Sequence, residues 1–192
     1  MLKTSANKLV DNWSQSPKGD FLLYEEAGEQ GRSEIWMVSL SDHKATRLIA
    51  TPGYSNQDAA ISPDGQWIAY TSDENGLRQV FVRTFPPSER KWQVSTGRIG
   101  AHPRWRSDGK QLFYVAGGTL NVVEVLPARP PEFKVGIPKP LSQGLLDIAP
   151  HNFAVADQGQ RFLLVTARGS LASAALPIVV TMNWTSGLGL GR

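Results

Sequence analysis

Ser62-Pro63-Asp64-Gly65-Gln66-Trp67-Ile68-Ala69-Tyr70 is a turn followed by four buriable residues, and three variants of it recur along the chain. They are Ser16-Pro17-Lys18-Gly19-Asp20-Phe21-Leu22-Leu23-Tyr24, Arg106-Ser107-Asp108-Gly109-Lys110-Gln111-Leu112-Phe113-Tyr114, and Ala156-Asp157-Gln158-Gly159-Gln160-Arg161-Phe162-Leu163-Leu164. The turn glycines, Gly19, Gly65, Gly109 and Gly159, are 46, 44 and 50 residues apart. A turn-and-strand unit with a period of this length marks the blades of a β-propeller. Propellers mostly present surfaces, so the repeat points to binding before chemistry.

Each repeat reads as four short strands. In the second, the first strand covers roughly Asp58 to Ser62, and Asp64-Gly65 is a tight-turn pair because both residues tolerate positive φ. Trp67 to Ser72, Gln79 to Phe85 and Lys91 to Ser95 follow as strands. Trp67 to Tyr70 and Phe21 to Tyr24 do not alternate apolar with polar. Continuous apolarity predicts burial on both faces, as in a strand covered by a blade on either side. The first unit has strands near Glu34 to Leu40 and Ala45 to Ala50. The third has Thr119 to Leu126 and then Pro127, Pro130, Pro131, Pro138 and Pro140, which mark edge strand or loop. The fourth has strands near Asn152 to Val155, Arg161 to Thr166 and Ile178 to Trp184, with a small-residue loop from Ala167 to Ala175.

The predicted fold is all-β: a propeller of four-stranded antiparallel blades with about four repeats. The expected organisation is an N-terminal segment 1–11, repeats at about 12–53, 54–98, 99–148 and 149–184, and a flexible tail 185–192. An open array leaves raw strand edges, which natural proteins avoid. Either Lys8 to Asn12 pairs into the last blade and closes a small ring, or the chain is part of a larger propeller; the second is preferred. Open edges also predict self-association.

Composition narrows the function classes. The 192 residues are 41% hydrophobic and 19% charged, an ordinary globular balance. Lys and Arg number 20 against 17 Asp and Glu, a net charge of +3 spread along the chain. The densest basic stretch, Arg98, Arg104, Arg106 and Lys110 around Trp105, reads as a blade rim rather than a nucleic-acid stripe. With no cysteine, disulfides, thiolate metal sites and cysteine nucleophiles are excluded. Met1 to Lys8 lacks the apolar core of a signal peptide, and the apolar run from Leu171 to Met182 is too short to span a bilayer. As written, the chain reads as cytoplasmic, with the compartment otherwise open.

Catalytic motifs do not assemble. The Gly187 to Gly191 run has no strand–turn–helix context for a phosphate loop. Gly53-Tyr54-Ser55-Asn56-Gln57 lacks the second glycine of a nucleophile elbow, and Ser5-Ala6-Asn7-Lys8 matches Ser-x-x-Lys by letters alone. No catalytic residue, metal ligand or cofactor is assigned. The candidate ligand-binding set comes from register. Aligned on the turn glycines, Asn12, Asp58, His102 and Asn152 fall at one place near the start of each innermost strand, with His151 one residue earlier. Innermost strands line the central channel, so these groups converge there or hydrogen-bond neighbouring blades. Among the tryptophans, Trp67 and Trp36 are expected in the core on central strands. Trp92 and Trp105 are expected near blade edges, as packing or as a partner surface.

The repeat, with Val80-Phe81-Val82-Arg83-Thr84-Phe85-Pro86, Lys91-Trp92-Gln93-Val94-Ser95, Pro103-Arg104-Trp105-Arg106-Ser107-Asp108-Gly109-Lys110 and Pro177-Ile178-Val179-Val180-Thr181-Met182-Asn183-Trp184, resembles the TolB-like, WD-repeat-like propellers of bacteria over about residues 12 to 184. More narrowly it is similar to the C-terminal propeller part of bacterial sensor kinases and winged-helix regulators. The resemblance implies a periplasmic location if the chain is part of a longer one, and six or more blades. Three functions follow as expectations. The first is a non-catalytic scaffold or sensor module binding a protein, peptide or small ligand. The second is a metal-dependent hydrolase or lyase using the channel through His102 and His151. The third is the severed sensory half of a kinase or transcriptional regulator.

Overall fold

The computed structural model describes residues 7–141, 153–164 and 179–181. Each repeat of the sequence is one antiparallel sheet, and chain order is strand order within it. Blade 1 is β1 (Lys8–Ser16), β2 (Gly19–Ala27), β3 (Ser33–Ser39) and β4 (Ala45–Ile49). Blade 2 is β5 (Asn56–Ile61), β6 (Trp67–Ser72), β7 (Gln79–Thr84) and β8 (Lys91–Gln93). Blade 3 is β9 (Gly100–Trp105), β10 (Gln111–Ala116) and β11 (Thr119–Leu126), edged by the two-residue strands β12 (Lys134–Val135) and β13 (Lys139–Pro140). Blade 4 shows β14 (Phe153–Ala156), β15 (Arg161–Leu164) and β16 (Val179–Thr181). The loop expected at Ala167 to Ala175 and the expected tail lie outside the described residues.

The first strand begins at Lys8 and pairs with β2, Lys8 opposite Glu26. Lys8 to Asn12 therefore belongs to the innermost strand of its own blade, not to a closing strand of the last blade. The proline-rich stretch does become edge structure. β13 places Pro140 opposite Asn121 at the outer side of β11, where a missing N–H does least harm.

The repeated turn has a definite construction. Gly65 N–H donates to Ser62 O at 2.8 Å, and Gly65 takes φ +66°. Ser62 Oγ accepts from Trp67 N, and Asp64 Oδ1 accepts from Gln66 N. Only the glycine, not Asp64, adopts positive φ, so the left-handed residue follows the Pro-Asp pair. Gly109 repeats this, with φ +73° and its N–H on Arg106 O. The fourth copy departs: Asp157, Gln158 and Gly159 all have positive φ, and Asp157 pairs with Arg161. Successive turns also touch. A Cβ on Gly65 would meet Ser16 of blade 1, and one on Gly159 would meet Phe113 of blade 3.

Among the described residues, three apolar clusters hold the blades together. Phe21, Leu23 and Ile35 of blade 1 pack on Ile68, Tyr70 and Phe81 of blade 2. Trp67, Ala69 and Val82 of blade 2 pack on Leu112, Tyr114 and Val123 of blade 3. Phe113 and Leu120 of blade 3 pack on Phe153 and Phe162 of blade 4. Successive β6 residues feed opposite clusters, so every residue of that strand is buried. This is the burial on both faces that an unbroken apolar run requires.

The tryptophans divide differently from expectation. Trp67 is core, but Trp36 lies on the third strand, half-buried and stacked on Tyr24 at 6.4 Å. Trp92 and Trp105 surround Phe133, which the proline-rich segment inserts at 4.9 Å from Trp67. Trp105 Nε1 also donates to Ala60 O of blade 2 at 2.9 Å, so both residues serve packing between blades.

Candidate functional site

Each of the first three innermost strands carries a β-bulge. The register slips between Val10 and Asn12 on β1, between Gln57 and Ala60 on β5, and opposite Ala101 to Arg104 on β9. A bulge leaves residues out of the ladder and re-aims their side chains. Asp58 and His102 sit in such bulges with φ +58° and +57°. The result is a direct contact across two blades: His102 Nδ1 lies 2.8 Å from Asp58 Oδ1, both side chains buried. Two members of the candidate set thus meet.

Asn12 does not join them. The bulged residue of β1 is its neighbour Asp11, and Asn12 is half-buried at the rim of a cleft. His151 and Asn152 lie outside the described residues. His43, in the turn after β3, is exposed.

Three further residues complete the centre: Asp11, Glu25 and Arg104. Asp11 Oδ2 accepts from Ala59 N at 3.1 Å. Glu25 Oε1 accepts from Asp58 N at 3.0 Å, and Oε2 from Gln57 Nε2 at 3.1 Å. Two carboxylates of blade 1 thereby satisfy the backbone N–H groups that the bulge of blade 2 releases from its ladder. Register hides Asp11, which stands one place ahead of the aligned position. Glu25 carries a visible signal: it continues the buriable run Phe21 to Tyr24, where the equivalent positions are Thr71 and Val115. Arg104 lies two residues past His102 in the basic stretch assigned to a rim.

The electrostatics follow from burial. Burial pushes the Asp11 carboxyl up to about 9, helped by the charge of Glu25 and a hydrogen bond between the two groups. Burial also works to raise Asp58, but the hydrogen bond and charge of His102, with the charge of Arg104, outweigh it and hold Asp58 below the usual carboxylate range. Burial lowers the Arg104 guanidinium, against the opposing pull of Asp58 and Asp11. The remaining basic residues of that stretch do not form a stripe: Arg106 makes a bidentate pair with Asp108 at 2.6 Å.

Beside this centre lies a cleft of about 440 Å³ between blades 1, 3 and 4. Its walls are Asn12 and Trp13 of β1, Arg104 of β9, Phe153 and Val155 of β14, and Leu163 of β15. Trp13 is 59% exposed and Leu163 39%, both large apolar side chains turned to solvent. A larger groove, about 560 Å³, runs along the turns of blades 2 and 3 by Trp67 and Phe133, lined by charges of both signs.

No protein-family model matches the chain. Among solved structures it is similar to TolB from Acinetobacter baumannii, with a TM-score of 0.61 and 22% identity over 82% of this chain. It is also similar to a puromycin-hydrolyzing peptidase from Mycobacterium tuberculosis, with a TM-score of 0.53 and 17% identity over 75%. The chain spans 37% of the length of the first and 25% of the second. At these identities the likeness concerns fold alone, and with the four-stranded antiparallel blades it leads to one conclusion: the chain has the TolB-like β-propeller fold.

Proposed function

We propose that the chain is a non-catalytic propeller module that binds a protein or peptide partner in the cleft between blades 1, 3 and 4. The observation that carries this reading is the pairing of exposed Trp13 and Leu163 with the Arg104 guanidinium on the wall of one concave site. An aromatic face, an aliphatic wall and a cation suit an apolar side chain flanked by an acidic group or chain carboxylate. The His102–Asp58 pair has the geometry of a base and its orienting acid. Yet His102 is only 2% exposed, and Asp58 is engaged between blades. Both are better explained as inter-blade structure than as catalytic groups.

The test is a peptide-library selection on the full chain, with wild type and Trp13→Ala compared on the enriched peptides. We expect apolar and acidic peptides whose affinity falls at least about tenfold in Trp13→Ala, as for aromatic hot spots. Peptides that bind Trp13→Ala as well as wild type would place the site elsewhere. Hydrolysis of ester or peptide substrates that vanishes in His102→Ala would replace the binding reading with a catalytic one.

A further inference from the structure

At the junction of blades 1 and 2, Asp11, Glu25 and Asp58 each offer a carboxylate oxygen, and these atoms lie within 4.8 Å of one another. All three residues are buried. Their hydrogen bonds to Ala59 N, Asp58 N, Gln57 Nε2 and His102 engage four carboxylate oxygens and leave lone pairs on each group. One atom is left over: among the described residues, Asp11 Oδ1 is buried without a hydrogen-bond partner, on a residue 6% exposed. Thr71, 1% exposed, sets its hydroxyl beside the Asp58 carboxylate and helps hold it ionised. The acids are also crowded. Among the described residues, the guanidinium facing Asp11 and Asp58 is that of Arg104. Three carboxyl groups share one buried volume beside it, which opposes their ionisation unless a further cation compensates.

We propose that these three carboxylates bind one oxygen-preferring divalent cation, Ca²⁺ by reach, which fastens blade 1 to blade 2. Ca²⁺ holds oxygens at about 2.3–2.6 Å, so opposite ligands stand about 5 Å apart. Mg²⁺, at about 2.0–2.1 Å, spans only about 4 Å and dehydrates reluctantly. The donor set is all oxygen, the kind a hard cation selects over zinc or copper. The unpartnered Asp11 oxygen is the atom that such an ion, or a water bound to it, would satisfy.

The experiment uses the full chain, stripped with chelator, dialysed and titrated with CaCl₂ by calorimetry and thermal unfolding. We expect one Ca²⁺ per chain and a Tm rise of about 5 °C near saturation. Affinity should fall more than about tenfold in Glu25→Gln and Asp11→Asn, and stay unchanged in Asp108→Asn, a surface carboxylate. Should the first two variants fail to fold, Tb³⁺ luminescence sensitised through tryptophan reads the wild-type site directly. Emission displaced by Ca²⁺ and lowered in Trp13→Phe or Trp105→Phe supports the assignment, since both indoles line the cleft that Asp11 borders. The absence of heat, Tm shift and Ca²⁺-displaceable emission would overturn the proposal. So would Ca²⁺ binding that persists in folded Glu25→Gln and Asp11→Asn, or emission indifferent to both tryptophan substitutions.

Discussion

Tyr70 shows what a single residue contributes to a blade. It is fully buried, stacks on Phe81 at 5.9 Å, and its hydroxyl accepts from Arg83 Nε at 3.0 Å. Burial pushes its phenol up to about 12. Tyr70→Ala removes a ring from the interface between blades 1 and 2 and should destabilise by about 3 kcal/mol. His43→Ala, on an exposed turn, should be nearly neutral; equal, mild effects in denaturant melts would refute the strand assignment. Asp11 gives a pH signature. Its carboxyl titrates near 3.9 in an unfolded chain and near 9 in the fold. The native state then holds a proton that the unfolded chain has released. Its stabilising contribution is complete below about pH 4 and is lost as pH rises toward 9. In chelator-containing buffer the urea midpoint should fall from pH 5 to 9, and fall less in Asp11→Asn; a parallel pH dependence in the two proteins would contradict the buried acid pair. Asp58 and His102 were legible in the sequence because the turn glycines fix their register. Asp11 and Arg104 were not, because a bulge moves chemistry by one or two positions without changing the repeat that an alignment detects.

At the scale of the element, the turn is what the chain repeats, and the structure explains why. Gly65 supplies a left-handed residue and also lets the turn of blade 2 approach Ser16 of blade 1. An added Cβ would lie 2.9 Å from Ser16 Oγ, whereas at Gly76, φ +85°, it would meet nothing within 4 Å. Both glycines pay the left-handed penalty when replaced, about 1–2 kcal/mol. Gly65→Ala should therefore be the more damaging of the two, and the difference between the two melts reports the contact between blades. If Gly76→Ala is as harmful as Gly65→Ala, the turns do not stack as described. Strand limits were legible where apolar runs are bounded by turn residues: Trp67–Ser72 and Thr119–Leu126 are as the pattern predicts. The outer edge of blade 3 was less so. Prolines announce an edge, but not that β12 and β13 would share the side of β11, or that Phe133 would be inserted among Trp67, Trp92 and Trp105.

For the whole molecule, the repeat determines how blades stack but carries no information about closure, because each blade's contacts are with its neighbours. Blade 1 shows the consequence. Its inner face toward blade 2 is buried in a shared core, while β1 exposes Leu9, Val10 and Trp13. Trp13 and Leu163 face the cleft that separates blade 1 from blade 4. The TolB chain to which this one is similar is longer, and this chain spans 37% of it. Apolar side chains and strand edges of this kind associate when nothing covers them. We therefore expect the purified 192-residue chain to self-associate, with a weight-average mass that rises with concentration in sedimentation or light scattering. Trp13→Lys should reduce that rise, since it puts a charge into the apolar patch without entering any of the three cores between blades. Tyr70→Ala should not reduce it, because loosening blades 1 and 2 exposes more apolar surface. A concentration-independent monomer in the wild type would show that Trp13 and Leu163 are covered within one chain. The four blades would then act as a closed unit rather than an open array.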